Sequence, residues 1–452
     1  MRERNVQKVM PLIMLAFVLA GSLQEAFNVC APIITNDFGI TSSQVSLISA
    51  VAMLTMGVAY VVYTALSDFM SIKKLLIVGI IISAIGSVAG VLFSNSFIAV
   101  IVFRAIQMAG GTSSSALLIL TATKYLDEKI RMKYYGFNTA CFSGGQLLGI
   151  LLGGIFATYL GWKYLFIVPA FSLVCIPFII KYLPEDSKEE KTQIDFLGIF
   201  MLAALSLFIS LYFNVMNIWL LIISGVMAII FLVYISKKKN AFITIDFFKN
   251  WKYMLIILVV LITYSTQGSY SFLFSFLASN VHGIETSQIS MILLPSYAVS
   301  MVIGIMGSKI TQKIGVTKTL CMGLGSMALG LILGACFLHT NTVLLILMSC
   351  LFNGGFSILY TPIMTLVINS LPENMRGTGL GFFNLCIKIT SSTGIVITGR
   401  LLTVQALQHN ALVPNMANAG MLYSNILLIF LVVVIVSFIT VNIVKKHLIK
   451  EN

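Results

Sequence analysis

The chain has 452 residues, of which 58% are hydrophobic and only 10% charged, and its formal net charge is +13. A soluble domain carries roughly 25% charged residues, so this composition excludes one. Apolar runs near the ~20 residues that cross a bilayer recur along the whole length, whereas a β-barrel would show short alternating segments.

Taken in chain order, the runs predict spans at about 9–31, 44–66, 75–93, 98–122, 134–160, 164–183, 195–215, 217–236, 253–278, 288–308, 319–338, 342–368, 378–404 and 420–444. The fold class is therefore an all-α polytopic membrane protein with fourteen transmembrane helices. Arg2, Arg4 and Lys8 precede the first span, but its apolar stretch is longer than a signal-peptide core, so it reads as an uncleaved helix. An even number of spans puts both termini on one side. That side holds 24 of the 28 basic residues, which makes it cytoplasmic by the positive-inside rule. The basic excess is thus topological, and no nucleic-acid partner is indicated.

The first span contains "AGSLQEAFNVCAP", with Glu25 between Gln24 and Asn28. Glu25 is the only acidic residue well inside a span; Asp68, Asp195 and Asp246 fall at span ends or in loops. Removal from water penalises an ionised carboxylate, so an intramembrane acid is a candidate for proton exchange. The fourth span carries Arg104 in "RAIQMAGG". At 1.5 Å per residue, Arg104 and Glu25 both stand roughly 10 Å below the outer surface, so they could meet as a structural ion pair or serve in proton coupling. Lys388 lies near the middle of the thirteenth span, where it pairs, with Glu25 as one choice, lies neutral, or snorkels into a cavity.

The stretch "KKKNAFITIDFFKNWK" after the eighth span mixes Phe242, Phe247, Phe248 and Trp251 with lysines, which suits either a surface-lying amphipathic segment or a solvated linker. The chain also repeats itself. "TALSDFMSIKKLL" (64–76) aligns with "SKITQKIGVTKTL" (308–320), so helices 1 to 6 recur as helices 9 to 14. The expected organisation is two pseudo-symmetric six-helix bundles, residues 1–190 and 253–452, with helices 7 and 8 inserted at 191–252. Such repeats build alternating-access transporters with a substrate site between the halves.

These segments resemble the major facilitator superfamily, in particular its fourteen-helix drug/proton antiporter branch, the tetracycline and quaternary-ammonium efflux pumps. The loop motif G-x-L-x-D-x-x-G-R-K is matched by Leu66, Asp68, Lys73 and Lys74, with Thr64 and Ser71 in place of its glycines. The resemblance makes Asp68, Lys73 and Lys74 a conformational latch; a plain surface salt bridge is the other reading. The helix 4 motif R-x-x-Q-G is matched at Arg104 and Gln107, with Met108 for its glycine. The antiporter motif G-x-x-x-G-P-x-x-G-G is matched by Gly145, Gly149, Gly153 and Gly154 in "GQLLGILLGG", with Ile150 in place of the proline. The stripe of glycines at four-residue spacing also reads as ordinary close packing.

The resemblance implies proton-coupled efflux of hydrophobic drugs, cationic or zwitterionic, by a plasma-membrane protein that acts as a monomer. Glu25, Arg104 and Lys388 would be its proton-coupling residues. The drug site is expected among the polar and aromatic residues Gln24, Asn28, Asn138, Gln146, Gln267, Tyr270, Tyr297, Asn353, Phe356, Tyr360 and Asn384, because aromatic faces suit flat, hydrophobic cations. A proton-coupled transporter of a single metabolite would use the same scaffold. A membrane enzyme would need a His/Asp or Cys/His constellation, and none is found. Nor is there a P-loop for ATP, and neither metal nor cofactor is indicated. The seven cysteines show no CxxC spacing and read as small packing residues.

Overall fold

The computed structural model describes residues 2–67, 70–185, 195–238, 248–339, 341–372, 376–410, 412–413 and 418–448. Among these residues, fourteen helices are long and apolar enough to cross a membrane. They are α1 (Arg2–Phe38), α2 (Ser42–Leu66), α3 (Ile72–Leu92), α4 (Phe97–Tyr125), α5 (Glu128–Ile155), a sixth span, α7 (Phe196–Val215), α8 (Ile218–Lys237), α9 (Trp251–His282), α10 (Thr286–Ile314), α11 (Val316–Phe337), α12 (Thr342–Ser370), α13 (Arg376–Leu401) and α14 (Asn418–Leu448). The sixth span opens as a tightened 3₁₀ stretch, Trp162–Cys175, and relaxes into α6 (Ile176–Tyr182). Several helices outrun the expected spans. α1 starts at Arg2 and continues to Phe38, well past both ends of the 9–31 apolar run, because helical hydrogen bonding does not stop where hydropathy does.

The internal repeat extends to the helix caps. Thr41 and Gln44 form a reciprocal capping box at the start of α2, and Glu285 and Gln288 do the same for α10. Ser96 caps α4 as Asn341 caps α12. Each pair is separated by 244 or 245 residues in the numbering. Two polar side chains thus satisfy the first orphan amides at matching helix starts in both copies.

Packing follows the same rule. α1 lies on α5, α2 on α4 and α3 on α4; correspondingly α9 lies on α13, α10 on α12 and α11 on α12. The two sets meet through α2 with α13, α5 with α10, and α1 with α9, while α7 fits against α2 and α13 and carries α8 on its outer side. Without a hydrophobic drive between helices in lipid, close approach depends on small residues. A methyl group at Gly149 would overlap the Ser22 carbonyl oxygen of α1, and one at Gly394 would overlap the Ser265 carbonyl oxygen of α9.

The seven cysteines are free thiols, four of them buried. Of the amphipathic stretch, residues 239–247, including Phe242 and Phe247, lie outside the described residues. Phe248 packs at 6.4 Å from Phe382, and Trp251 stays half exposed.

Candidate functional site

Glu25 is buried in the half of the bundle away from the termini, and its carboxylate is held by neutral groups from several helices. Ser271 Oγ of α9 donates to Oε2 at 2.6 Å, and Asn28 Nδ2, one turn along α1, donates to the same oxygen at 3.4 Å. Gln146 Nε2 of α5 donates to Oε1 at 3.3 Å, and the hydroxyl of Tyr297 of α10 is a further hydrogen-bond partner. Asn28 extends the network, donating to Ser271 Oγ at 3.1 Å and accepting from Ser49 Oγ of α2 at 2.6 Å. Local sequence explains the assembly. Ser22 and Glu25 share the face of α1 that lies on the Gly145, Gly149 and Gly153 stripe of α5; an added Cβ at Gly149 would come within 3.2 Å of Glu25 Cβ. The absent side chains bring α1 close enough for Gln146 to reach the carboxylate. Gly154 turns instead to Ser287 and Ser290 of α10.

Hydroxyls and amides can donate to a carboxylate, and the hydroxyls and amide oxygens can accept from a carboxylic acid. The pocket can therefore house Glu25 in either protonation state without an ion pair. It also ties the two copies of the repeat together, since Ser271 and Tyr297 come from one copy and Glu25, Asn28 and Gln146 from the other.

Arg104 does not join this network. Its Nη1 donates to Gln107 Oε1 at 2.8 Å, and its guanidinium carbon stands 4.8 Å from the centre of the Phe27 ring. Gln107 Nε2 in turn donates to Ser87 Oγ and the Phe166 carbonyl, each at 2.8 Å. Phe27 is two residues from Glu25, or about 200° around the helix, so a side chain on the Phe27 face cannot meet the carboxylate. The meeting left open by their similar depth does not occur.

A cavity of about 260 Å³ lies between the two copies, toward the end of the bundle that carries the termini. Of the residues expected from sequence, Asn138, Gln146, Gln267, Phe356, Tyr360, Asn384 and Lys388 line it. Gln24, Asn28, Tyr270, Tyr297 and Asn353 do not. Asn28 and Tyr297 belong to the Glu25 network instead. Tyr270 stacks on Phe352 at 4.0 Å between centroids and bonds Ser349 Oγ at 3.0 Å, and Asn353 donates to Ser296 Oγ at 3.0 Å, so both join helices. Gln24 is buried with no partner for either amide atom among the described residues.

The sequence reading missed Tyr60, Phe142, Tyr264 and Ser391 in the cavity wall, and Ser49 and Ser271 around Glu25. Ser271 had a readable signal, since it follows Gln267 by one helical turn. Ser391 is a counterpart of Gln146 in the repeat, 245 residues on. No such partner exists for the acid: Ser22 matches Ser265, which sets Gly268 opposite Glu25.

Of the expected latch, Asp68 lies outside the described residues. Lys73 and Lys74 begin α3 at the end carrying the termini, where Lys74 Nζ is 3.7 Å from Glu185 Oε1 and both side chains are largely exposed. Asp195 forms a cluster that sequence did not anticipate. It caps α7 through Gly198 N at 3.0 Å, accepts from Lys238 Nζ at 2.9 Å, and bonds the Tyr234 hydroxyl. The hydrogen bonds that the Lys238 ammonium donates to the Tyr234 hydroxyl, and then to the Asp195 carboxylate, hold Lys238 above its ordinary range. No group of three or more His, Cys, Asp or Glu side chains suited to a metal occurs among the described residues.

The chain matches the Major Facilitator Superfamily over residues 13–395. It belongs to that family. Among curated proteins, Multidrug resistance protein Stp of Mycobacterium tuberculosis is 23% identical over 387 residues, covering 83% of this chain and 72% of Stp. Quinolone resistance protein NorB of Staphylococcus aureus is 23% identical over 435 residues, covering 91% of this chain and 92% of NorB. Solved structures share the fold: a D-xylose-proton symporter superposes with a TM-score of 0.71 at 12% identity, covering 98% of each chain. The human organic anion transporter MFSD10 superposes with a TM-score of 0.63 at 14% identity, covering 98% of this chain and all of that one. As a major facilitator protein the chain is a multi-pass membrane transporter, and its central cavity sits where the two halves of that fold meet.

Proposed function

We propose that the protein exports amphipathic drugs across the plasma membrane in exchange for protons, with both termini in the cytoplasm and Glu25 as the exchanging group. The observation that carries this reading is the link through Gln146, which lines the cavity and also donates to the Glu25 carboxylate. The similarity to the resistance proteins Stp and NorB supports the drug-resistance part, and the distribution of basic residues supports the orientation.

In the cycle that follows, ionised Glu25 accepts from Ser271 and Tyr297 and holds the halves together at the external end, while the cavity faces the cytoplasm. Ser42 Oγ donating to the Gly399 carbonyl at 3.1 Å and Ser392 Oγ donating to the Ala50 carbonyl at 2.7 Å reinforce that closure. Drug occupies the cavity against Gln146. After the halves rock outward, a proton from outside neutralises Glu25, Gln146 loses its charged acceptor, and the drug side of the wall relaxes to release its cargo. Deprotonation to the cytoplasm resets the site. Each inward charge contributes about 2.3 kcal/mol per 100 mV, and tenfold in concentration corresponds to about 1.4 kcal/mol, so the membrane potential alone sustains a gradient of tens-fold.

Lys73 and Lys74 remain the assigned latch with Asp68, steadying the closed cytoplasmic end in the outward-facing form. Arg104 is assigned a supporting role, holding Gln107 and Phe27 on the reverse face of α1. The test is transport of a fluorescent drug into energised inside-out vesicles. Uptake should follow an imposed proton gradient in wild type and lose that dependence in Glu25→Gln; gradient-driven uptake preserved in Glu25→Gln would refute the assignment.

A further inference from the structure

Among the described residues, the cavity wall contains one charged side chain, Lys388, and no carboxylate. We infer that the cavity selects aromatic carboxylates, with the Lys388 ammonium as the counter-charge for the acid group. This deepens the efflux reading and rests on it.

The ammonium is placed by construction. α2 crosses the root of the side chain at Gly57, where an added Cβ would lie 2.8 Å from Lys388 Cβ, so only a glycine there lets the stem run along α2. The tip then stands 5.2 Å from the centre of the Phe142 ring, a separation at which a cation is held by the aromatic face. No carboxylate among the described residues forms an ion pair with it. Glu25 acts on it only through space, from behind Gln146. A lysine removed from bulk water with no direct counter-ion is costly, and an anionic ligand removes that cost.

The surroundings suit the remainder of such a ligand. Asn384 lies one helical turn before Lys388, and Gln267 faces the cavity from α9, so neutral amides share the wall with the ammonium. Phe142, Tyr264, Phe356 and Tyr360 supply flat apolar faces, and Tyr264 and Phe356 are already arranged edge to face at 4.9 Å. A simple cation meets the opposite arrangement: it would approach Lys388 with no acid in the wall to receive it. Zwitterions with an aromatic acid group remain acceptable when their positive end points away.

The test is equilibrium binding to the purified full-length protein in detergent micelles, which requires no proton gradient. The probes are 2-naphthoate, naphthalene-2-carboxamide as its neutral isostere, and 2-naphthylmethylammonium as the cation. Wild type should bind the carboxylate at least tenfold more tightly than either other probe. Lys388→Gln should erase that preference while leaving carboxamide affinity within about twofold, and Lys388→Arg should keep it. Equal affinities in wild type, a preference for the ammonium probe, or a preference unchanged in Lys388→Gln would each overturn the inference. Failure of vesicle transport with the binding preference intact would strike the efflux reading alone.

Discussion

Gln146 Nε2 lies 3.3 Å from Glu25 Oε1, and the same glutamine side chain forms part of the cavity wall. A buried acid set back from the cavity thus has an intermediary with a hand on each side. In the proposed cycle that arrangement separates chemistry from recognition: the acid would change charge without touching the cargo, and the cargo would alter the acid's hydrogen bonding without reaching it.

Removing the intermediary should weaken the link while leaving the acid in place. In Gln146→Leu, the pH dependence of drug affinity should flatten by at least threefold relative to wild type. Drug binding titrated at several pH values measures this, and an unchanged slope would show that Gln146 carries no signal.

The 2.6 Å bond from Ser271 to Glu25 joins the two copies of the repeat. A hydrogen bond to a charged group is worth about 1.5–3 kcal/mol, so Ser271→Ala should lower thermal stability in wild type but much less in a Glu25→Gln background. A double-mutant cycle with a coupling of about 1 kcal/mol or more is expected, and additive losses would contradict the bond's role.

Much of this architecture was open to sequence reading, and the rest was hidden for identifiable reasons. Spans, the repeat and the intramembrane acid follow from hydropathy and from charge in the wrong solvent. Azimuth does not: Glu25 and Arg104 share a depth, but nothing in one sequence reveals that Arg104 meets the Phe27 face. The polar residues of the central helices were recognisable as a set, yet Tyr270 and Asn353 join helices whereas Gln267 and Asn384 face the cavity. The choice depends on which way each helix is rotated. Asp195 looked like a span-end acid because its partner Lys238 lies across the α7–α8 hairpin.

Glycines of α5 provide a packing test with an internal control. A side chain at Gly149 collides with α1, whereas Gly144 has nothing within 4 Å of an added Cβ. Gly149→Val should therefore abolish folded protein or lower its melting temperature by 10 °C or more, in line with overpacking costs of about 1–3 kcal/mol or greater. Gly144→Ala should change little. Size-exclusion profiles and melting curves of the two variants decide between them.

The clasp of Asp195 on Lys238 predicts a pH signature in the inserted pair. The folded-state pKa of Lys238 lies above the ordinary 10.5, so its contribution is complete at neutral pH and is lost as pH rises through the folded value. Asp195→Asn should lower the melting temperature by a constant amount from pH 7 to 9, with the gap closing only above pH 10.5. A gap that closes near neutrality would show that another group governs the clasp.

The most direct measurement is the count of protons exchanged when drug binds to purified protein in weakly buffered detergent solution, followed with a pH-indicator dye. At a pH low enough that Glu25 holds its proton before drug arrives, wild type should release close to one proton per drug bound, and Glu25→Gln should bind drug with none released. Equal proton release by the two proteins would contradict the assignment of Glu25 as the group that trades a proton for cargo.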